Sequence, residues 1–266
     1  MQALSRSQDS MKNTLLIWLL CFNIVAQVHA APVPAKDVNQ GNGPVVSLDA
    51  AGPQIFPQSW LTAKVNAQAT ILDAAQRARS QHLVARALAK YPAVVLRPHL
   101  QRVYVLGSLA YSGVPTSGTN SRSAVYLANS GKAADAVLEG IFHAEFSSIL
   151  LRNLPQHLDT KRWQQINPPD FRYLGSGVQA IKLQKASRRL DAALQQAGFL
   201  HSYAQASLEE DFNSIASRLF MGNEGLWRAM AQFPKVKEKA MLVMDFYNRL
   251  DPHFTQSWFE AQRTGR

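Results

Sequence analysis

The single cysteine of this chain, Cys21, lies inside an N-terminal apolar segment. That segment, Leu15–Val25, follows a lysine and is shorter than the roughly 20 apolar residues that a membrane-spanning helix needs. The small side chains of Val28 and Ala30 then suit a cleavage site after Ala30. The sequence therefore predicts a signal peptide over residues 1–30, with an uncleaved membrane anchor as the alternative.

Cleavage at this point leaves a chain with no cysteine. Disulfide bonds, zinc–thiolate sites and cysteine nucleophiles are then excluded. Such a protein depends on its apolar core, and a composition of 47% hydrophobic and 17% charged residues suits a packed core. We expect a periplasmic or secreted protein with no transmembrane segment after signal cleavage.

The chain is basic, with a formal net charge of +10. Cleavage after residue 30 removes two basic residues and one acidic residue, which leaves a net charge of +9. This charge is compatible with anionic envelope components as partners, although a solvated basic surface is the preferred explanation. No basic block is interleaved with aromatic residues, so nucleic acid is not expected as a partner. A helix predicted over 178–197 gives the best basic patch, formed by Lys182, Lys185 and Arg189.

Residues 31–58 are rich in proline and glycine, which predicts a flexible linker. Residues 59–266 have the pattern of one α+β domain, in which a helix and a small sheet precede a helical C-terminal half. The predicted strands are 93–96, 103–106 and 124–128. The predicted helices are 68–90, 133–151, 178–197, 208–220, 225–232 and 234–250.

The helix predicted over 133–151 carries half of a zinc peptidase motif. In H-E-x-x-H, two imidazoles on one helical face hold zinc, and the glutamate accepts a proton from the bound water. Glu145 occupies the glutamate position, whereas Ala144 and Ser148 occupy the two histidine positions. His143 lies two residues from Glu145, which is about 200° around a helix, so the two side chains are predicted to face opposite sides.

A second segment begins at Tyr203 and leads into another predicted helix. Ser207 suits the N-cap position, and Glu210 three residues later completes the pattern of a capping box. The acidic residues 209–211 have a simple explanation, since negative charges are favourable at a helix N-terminus.

Taken together, Glu145-Phe146, Tyr203-Ala204 and Glu210-Asp211-Phe212 resemble the peptidase domain of anthrax lethal factor and its bacterial relatives among the zinc metallopeptidases. The resemblance covers roughly residues 100–250 and implies a zincin-like fold. That fold has a small mixed sheet with an edge strand and an active-site helix.

The resemblance also implies roles for these residues. Glu145 matches the catalytic general base, Glu210 a zinc ligand, and Tyr203 the donor that stabilises the transition state. Because both motif histidines are replaced, His143 or His201 is the candidate for an improvised zinc ligand. The strand preceding the active-site helix is expected to be the edge strand that pairs with an extended peptide substrate, through Val125, Tyr126 and Leu127.

Three functions stay open at this point. The first is an exported zinc metallopeptidase that hydrolyses peptide or protein substrates through a zinc-bound water. The second is a metal-free pseudopeptidase that acts as a peptide- or envelope-binding module. The third is a structural envelope protein in which Glu145 and Glu210 matter only for folding.

Overall fold

The computed structural model of the protein describes residues 43–263. The predicted signal peptide, its cleavage site and the beginning of the predicted linker lie outside these residues. The described part contains seven strands: β1 (Val45–Ser47), β2 (Gln68–Thr70), β3 (Arg102–Leu106), β4 (Ser108–Tyr111), β5 (Val114–Pro115), β6 (Gly118–Asn120) and β7 (Ala124–Ala128).

Ten α-helices occur in the same range, most of them in the C-terminal half. No helix among residues 43–263 has the length and apolarity to cross a membrane. The helices are α1 (Arg77–Leu88), α2 (Ala93–His99), α3 (Asp135–Asn153), α4 (Thr160–Ile166), α5 (Gly177–Lys182), α6 (Ala192–Ala197), α7 (Leu208–Phe220), α8 (Glu224–Gln232), α9 (Pro234–Leu250) and α10 (Gln256–Ala261).

The strands form two small sheets. The larger sheet has the order β1-β3-β7-β6, in which β1, β3 and β7 are parallel and β6 is antiparallel to β7. The smaller sheet has the order β2-β4-β5 and is antiparallel. The predicted α+β class is therefore confirmed. The edge strand was misassigned, since β7 pairs on both sides and β6 lies at the edge.

The predicted linker is wrong over residues 43–58. Strand β1 pairs in parallel with β3, and Val46 and Leu48 are buried in the main core. Farther along, Ile55 is buried, and its carbonyl accepts a hydrogen bond of 2.7 Å from the Tyr126 hydroxyl. Proline and glycine here begin two short 3-10 helices, Pro53–Ile55 after Gly52 and Gln58–Trp60 after Pro57.

Two other segments differ from the sequence prediction. The apolar run 93–96 belongs to helix α2, because a run of this length fits a buried helix as well as a strand, and Pro92 precedes its first turn. The helix predicted over 68–90 begins only at Arg77, since residues 68–70 pair with β4.

The helix predicted over 178–197 is interrupted. It divides into α5 and α6, and between them Gln184 takes a left-handed backbone conformation with φ of 57°. Lys182, Lys185 and Arg189 therefore do not share one helical face.

Helix α3 is central to the main core. It packs against α7 on one side and against β6 and β7 on another. Its Phe142, Phe146 and Ile149 are fully buried, together with Phe212 of α7. This packing fixes where the side chains of α3 and α7 can meet.

A buried ion pair joins α7 to α9. Lys239 Nζ donates to Asp211 Oδ2 at 2.6 Å, and both side chains are fully buried. The Tyr173 hydroxyl donates to the same oxygen at 2.9 Å. The ammonium also lies 4.0 Å from the ring centroid of Phe199. A buried pair of this kind is costly to break, because the remaining partner is left charged without water.

We expect Asp211→Ala to lower the free energy of unfolding by about 3–5 kcal/mol, measured by urea denaturation, because Lys239 loses its buried counter-charge. The double variant Asp211→Leu with Lys239→Met should recover much of that loss. As a control, Glu238→Ala removes an exposed pair with Arg162 and should cost less than about 1 kcal/mol. Equal losses for the buried and exposed pairs would contradict this account.

Candidate functional site

Glu145, Glu210 and Tyr203, which were predicted from separate segments, line one cleft with a volume of about 200 Å³. Glu145 comes from α3, and Glu210 comes from the first turn of the adjacent α7. Strand β6 forms one wall, and the start of α5 forms another. The cleft is polar around the carboxyl groups and apolar where Trp60, Tyr111 and Val114 line it.

The start of α7 places Glu210. Ser207 caps this helix as predicted, and its hydroxyl accepts a hydrogen bond of 3.1 Å from the Glu210 amide. The Glu210 side chain accepts a hydrogen bond of 2.9 Å from the Tyr203 hydroxyl. The spacing of seven residues from Tyr203 to Glu210 thus corresponds to a direct contact.

Glu145 is held against β6. Its Oε2 accepts a hydrogen bond of 2.5 Å from the side-chain amide of Asn120. Gly118 allows α3 to approach this strand, because a Cβ at that position would lie 3.0 Å from Glu145 Oε1. On the opposite wall, a Cβ at Gly177 would lie 2.8 Å from Glu210 Oε1. Glycines on both walls therefore leave the two carboxyl groups accessible from a narrow cleft.

Both carboxyl groups of the cleft have raised pKa values. Burial, followed by the nearby charge of Glu210, raises the pKa of Glu145 to about 7. Burial also raises the pKa of Glu210, although the Tyr203 hydroxyl and the charge of Arg188 oppose the shift. Since like charges in one cleft disfavour double ionisation, the pair retains a proton close to neutral pH.

Ser148 stands where the motif has its second histidine, and it takes part in hydrogen bonds instead of binding a metal ion. The side-chain amide of Asn213 donates to Ser148 Oγ at 3.0 Å and to Glu210 Oε2 at 3.3 Å. Ser148 thus connects α3 to Glu210 through Asn213.

His143 is not a ligand of this cleft. It is fully buried on the opposite side of α3, as its spacing from Glu145 predicts, and its Nδ1 lies 2.8 Å from the Tyr91 hydroxyl. Its Nε2 lies 3.6 Å from Glu139. Burial lowers the pKa of His143 to about 4. Helix α3 runs without interruption from Asp135 to Asn153, so no bulge turns His143 inward.

His201 is not a ligand either. It caps the 3-10 helix Ser202–Gln205, with Nδ1 accepting a hydrogen bond of 3.1 Å from the Ala204 amide. Its Nε2 lies 3.3 Å from a guanidinium nitrogen of Arg218. Burial, followed by the charge of Arg218, lowers the pKa of His201 to about 3. The predictions of His143 and His201 as zinc ligands are therefore wrong.

The residues of the cleft do not fit a catalytic zinc ion. Such sites combine three protein ligands, usually with at least one imidazole, and here only glutamates are available. Within residues 43–263, no group of three or more His, Cys, Asp or Glu side chains is arranged to hold a metal ion.

The predicted substrate-contacting residues Val125, Tyr126 and Leu127 are buried in β7, between β3 and β6. They cannot pair with a peptide, so this prediction is wrong. Sequence alone did not reveal that the short segment Gly118–Asn120 forms one more strand outside β7, because its glycine and asparagine are typical of a loop.

The outer edge of β6 presents its backbone to the cleft side. Ser117 and Ser121 are hydrogen-bonded to β7. By the alternation of an antiparallel ladder, the backbone groups of Gly118 and Asn120 point away from β7. The Thr116 hydroxyl donates to the Gly118 carbonyl at 2.7 Å, so this carbonyl already has a partner. The backbone N–H and C=O of Asn120 are the groups of this edge that a bound peptide could pair with.

Several polar residues of the cleft were not predicted from the sequence, and Arg152 and Asn120 are the two that contact its acidic side chains. Arg152 donates to Glu209 at 2.5 Å and also to the side-chain carbonyl of Asn120. Arg152 lies seven residues after Glu145 on α3, so helical spacing was a usable signal for it. Asn120 carried no comparable signal, because its contact depends on the sheet order.

In comparisons with known proteins, no family model matches the sequence, no curated protein matches it, and no solved structure matches the fold. The resemblance to the lethal factor peptidase domain therefore rests on the quoted residues alone and stays a proposal.

We expect Glu145→Gln to stabilise the protein more at pH 8 than at pH 5. The raised pKa of Glu145 means that the folded state holds a proton that the unfolded state loses, so stability falls as pH rises from about 4.5 to about 7. The glutamine removes this loss, and the gain at pH 8 should be about 2–3 kcal/mol in urea denaturation. Thr116→Val, a change in the same cleft without a titrating group, should show no such pH dependence. A gain for Glu145→Gln that is the same at both pH values rules out the shifted pKa.

We expect the purified chain to hold far less than one zinc per molecule after zinc loading and desalting, because the cleft offers no imidazole. Metal analysis of the wild type and of Glu210→Ala provides the test. Near-stoichiometric zinc that disappears in Glu210→Ala would overturn this description of the donor set.

Proposed function

We propose that this protein is a metal-free pseudopeptidase that binds an extended peptide along β6. The single observation that supports this most is the outer edge of β6, which pairs with no further strand among residues 43–263 and lies beside the cleft that contains Glu145, Glu210 and Tyr203. An extended chain gains main-chain hydrogen bonds by adding to such an edge. The proposed zincin-like ancestry agrees with a groove for peptides.

The cleft gives a peptide more than backbone contacts. Trp60, Tyr111 and Val114 offer an apolar surface to one side chain. Glu145 and Tyr203 offer hydrogen-bonding groups beside it, and the raised pKa lets Glu145 donate as well as accept near neutral pH. The ligand class proposed here is therefore an unfolded or extended peptide segment with an apolar side chain.

Hydrolysis is the less favoured function. The resemblance assigns carbonyl polarisation and water activation to zinc, and the donor set of the cleft does not fit this ion. An exported zinc metallopeptidase stays the second candidate, supported by the contact of Tyr203 with Glu210. The predicted signal peptide supports action in the periplasm or outside the cell for both candidates.

A proline at position 120 tests the backbone contact. Asn120→Pro removes the outward N–H of β6, whereas Asn120→Ala keeps it and removes the same contacts with Glu145 and Arg152. With a pool of labelled random-sequence peptides, we expect the immobilised wild type and Asn120→Ala to retain peptides. Asn120→Pro should retain about five- to tenfold less, because one main-chain hydrogen bond is lost.

Mass spectrometry of the retained peptides shows whether they stay intact, and cleavage would favour the peptidase. Equal retention by Asn120→Pro and Asn120→Ala would refute pairing along β6, and so would no retention by the wild type. If Asn120→Pro shows no thermal unfolding transition and so does not fold, hydrogen exchange of the wild type with and without peptide replaces the comparison of variants. The backbone N–H of Asn120 should then exchange more slowly when peptide is bound, and an unchanged exchange rate would refute pairing along β6.

A further inference from the structure

The turn that follows α5 exposes apolar side chains next to basic ones. Among the described residues, six large apolar side chains are exposed, and three of them fall within ten positions of the chain, namely Ile181, Leu183 and Leu190. The other three, Ile71, Val94 and Val137, lie apart from one another in the sequence. The concentration at the end of α5 and just after it is therefore a local feature of this surface.

The backbone of this turn is well defined. The amide of Lys185 donates to the Ala180 carbonyl at 2.8 Å, and that of Gln184 donates to Ile181 at 3.0 Å, while Gln184 is left-handed. This is the hydrogen-bond pattern of a Schellman-type helix end. Ile181, Leu183 and Lys185 therefore belong to one short turn, and all three are exposed; this turn is called the corner below.

The corner is also strongly positive. Residues 177–190 contain Lys182, Lys185, Arg188 and Arg189 and no acidic residue. Arg188 lies 4.5 Å above the ring of Tyr203 and belongs to the cleft. The two lysines and Arg189 are exposed and form no ion pair within residues 43–263.

We propose that this corner docks on an anionic lipid surface, with Leu183 in the headgroup–acyl boundary and the lysines among the phosphates. Basic side chains alone suit nucleic acids, acidic glycans and lipids alike. The exposed apolar side chains distinguish these partners, because only the lipid surface offers hydrocarbon in which they lose contact with water. Since Ile181 also lines the cleft, a docked protein holds the cleft beside the lipid surface.

Vesicle sedimentation tests this proposal, with vesicles of phosphatidylcholine alone and vesicles mixed equally with phosphatidylglycerol. The full chain is used, together with the chain that starts at Ala31, so that the apolar N-terminal segment is controlled. We expect binding to the anionic vesicles only. Lys185→Gln should weaken it about fivefold, and Leu183→Ser should weaken it about tenfold. High salt should weaken the wild type as well.

The matched control is the double variant Val94→Ser with Arg97→Gln, which removes one exposed apolar and one exposed basic side chain from α2. Its binding should stay within about twofold of the wild type. The proposal fails if this control weakens binding as much as Leu183→Ser with Lys185→Gln does. It also fails if the wild type binds heparin or DNA but not anionic vesicles. Peptide retention should not change in Leu183→Ser, so the peptide and lipid proposals fail independently.

Discussion

The packing of α3 against α7 is the contact on which the cleft depends. Phe146 of α3 and Phe212 of α7 are fully buried in the same core, and the packing places Glu145 and Glu210 on the walls of one cleft. In the peptidases that the sequence resembles, zinc ligands from two helices meet at the metal. Here a single hydrogen bond in that place, from the Asn213 side chain of α7 to the Ser148 hydroxyl of α3, crosses between the two helices, and such a bond contributes about 1 kcal/mol. The apolar contact is therefore the larger stabilising effect, and the helices need no metal to stay together.

The three acidic residues in the first turn of α7 share one local preference for a helix N-terminus but make three different tertiary contacts. A helix N-terminus favours negative charge at all three positions. Yet Glu209 pairs with Arg152, Glu210 accepts from Tyr203, and Asp211 is buried against Lys239. Helix periodicity separates them, since consecutive residues point about 100° apart. The dipole explains why acids are tolerated there, and the tertiary contacts explain what each one does.

Sequence reasoning succeeded where one periodic pattern decides the outcome. Strand 124–128, the helix around Glu145 and the Ser207 cap follow from local patterns, and so does the opposite orientation of His143. It failed where pairing partners decide the outcome. The edge position belongs to β6 because residues 118–120 add outside β7, and no local pattern states the order of strands in a sheet.

The two acids of the cleft reduce the stability of the folded protein at neutral pH, and this cost favours a role for the cleft in ligand binding. A buried carboxyl with a pKa near 7 makes the folded state less stable at neutral pH than a neutral side chain would, and Glu145 and Glu210 both have raised pKa values. Gly118 and Gly177 keep both groups accessible rather than covering them. A purely structural role gains nothing from two acids with raised pKa values beside an open strand edge. Local departures from stability of this kind concentrate at functional sites, which favours a ligand-binding cleft over a structural envelope protein.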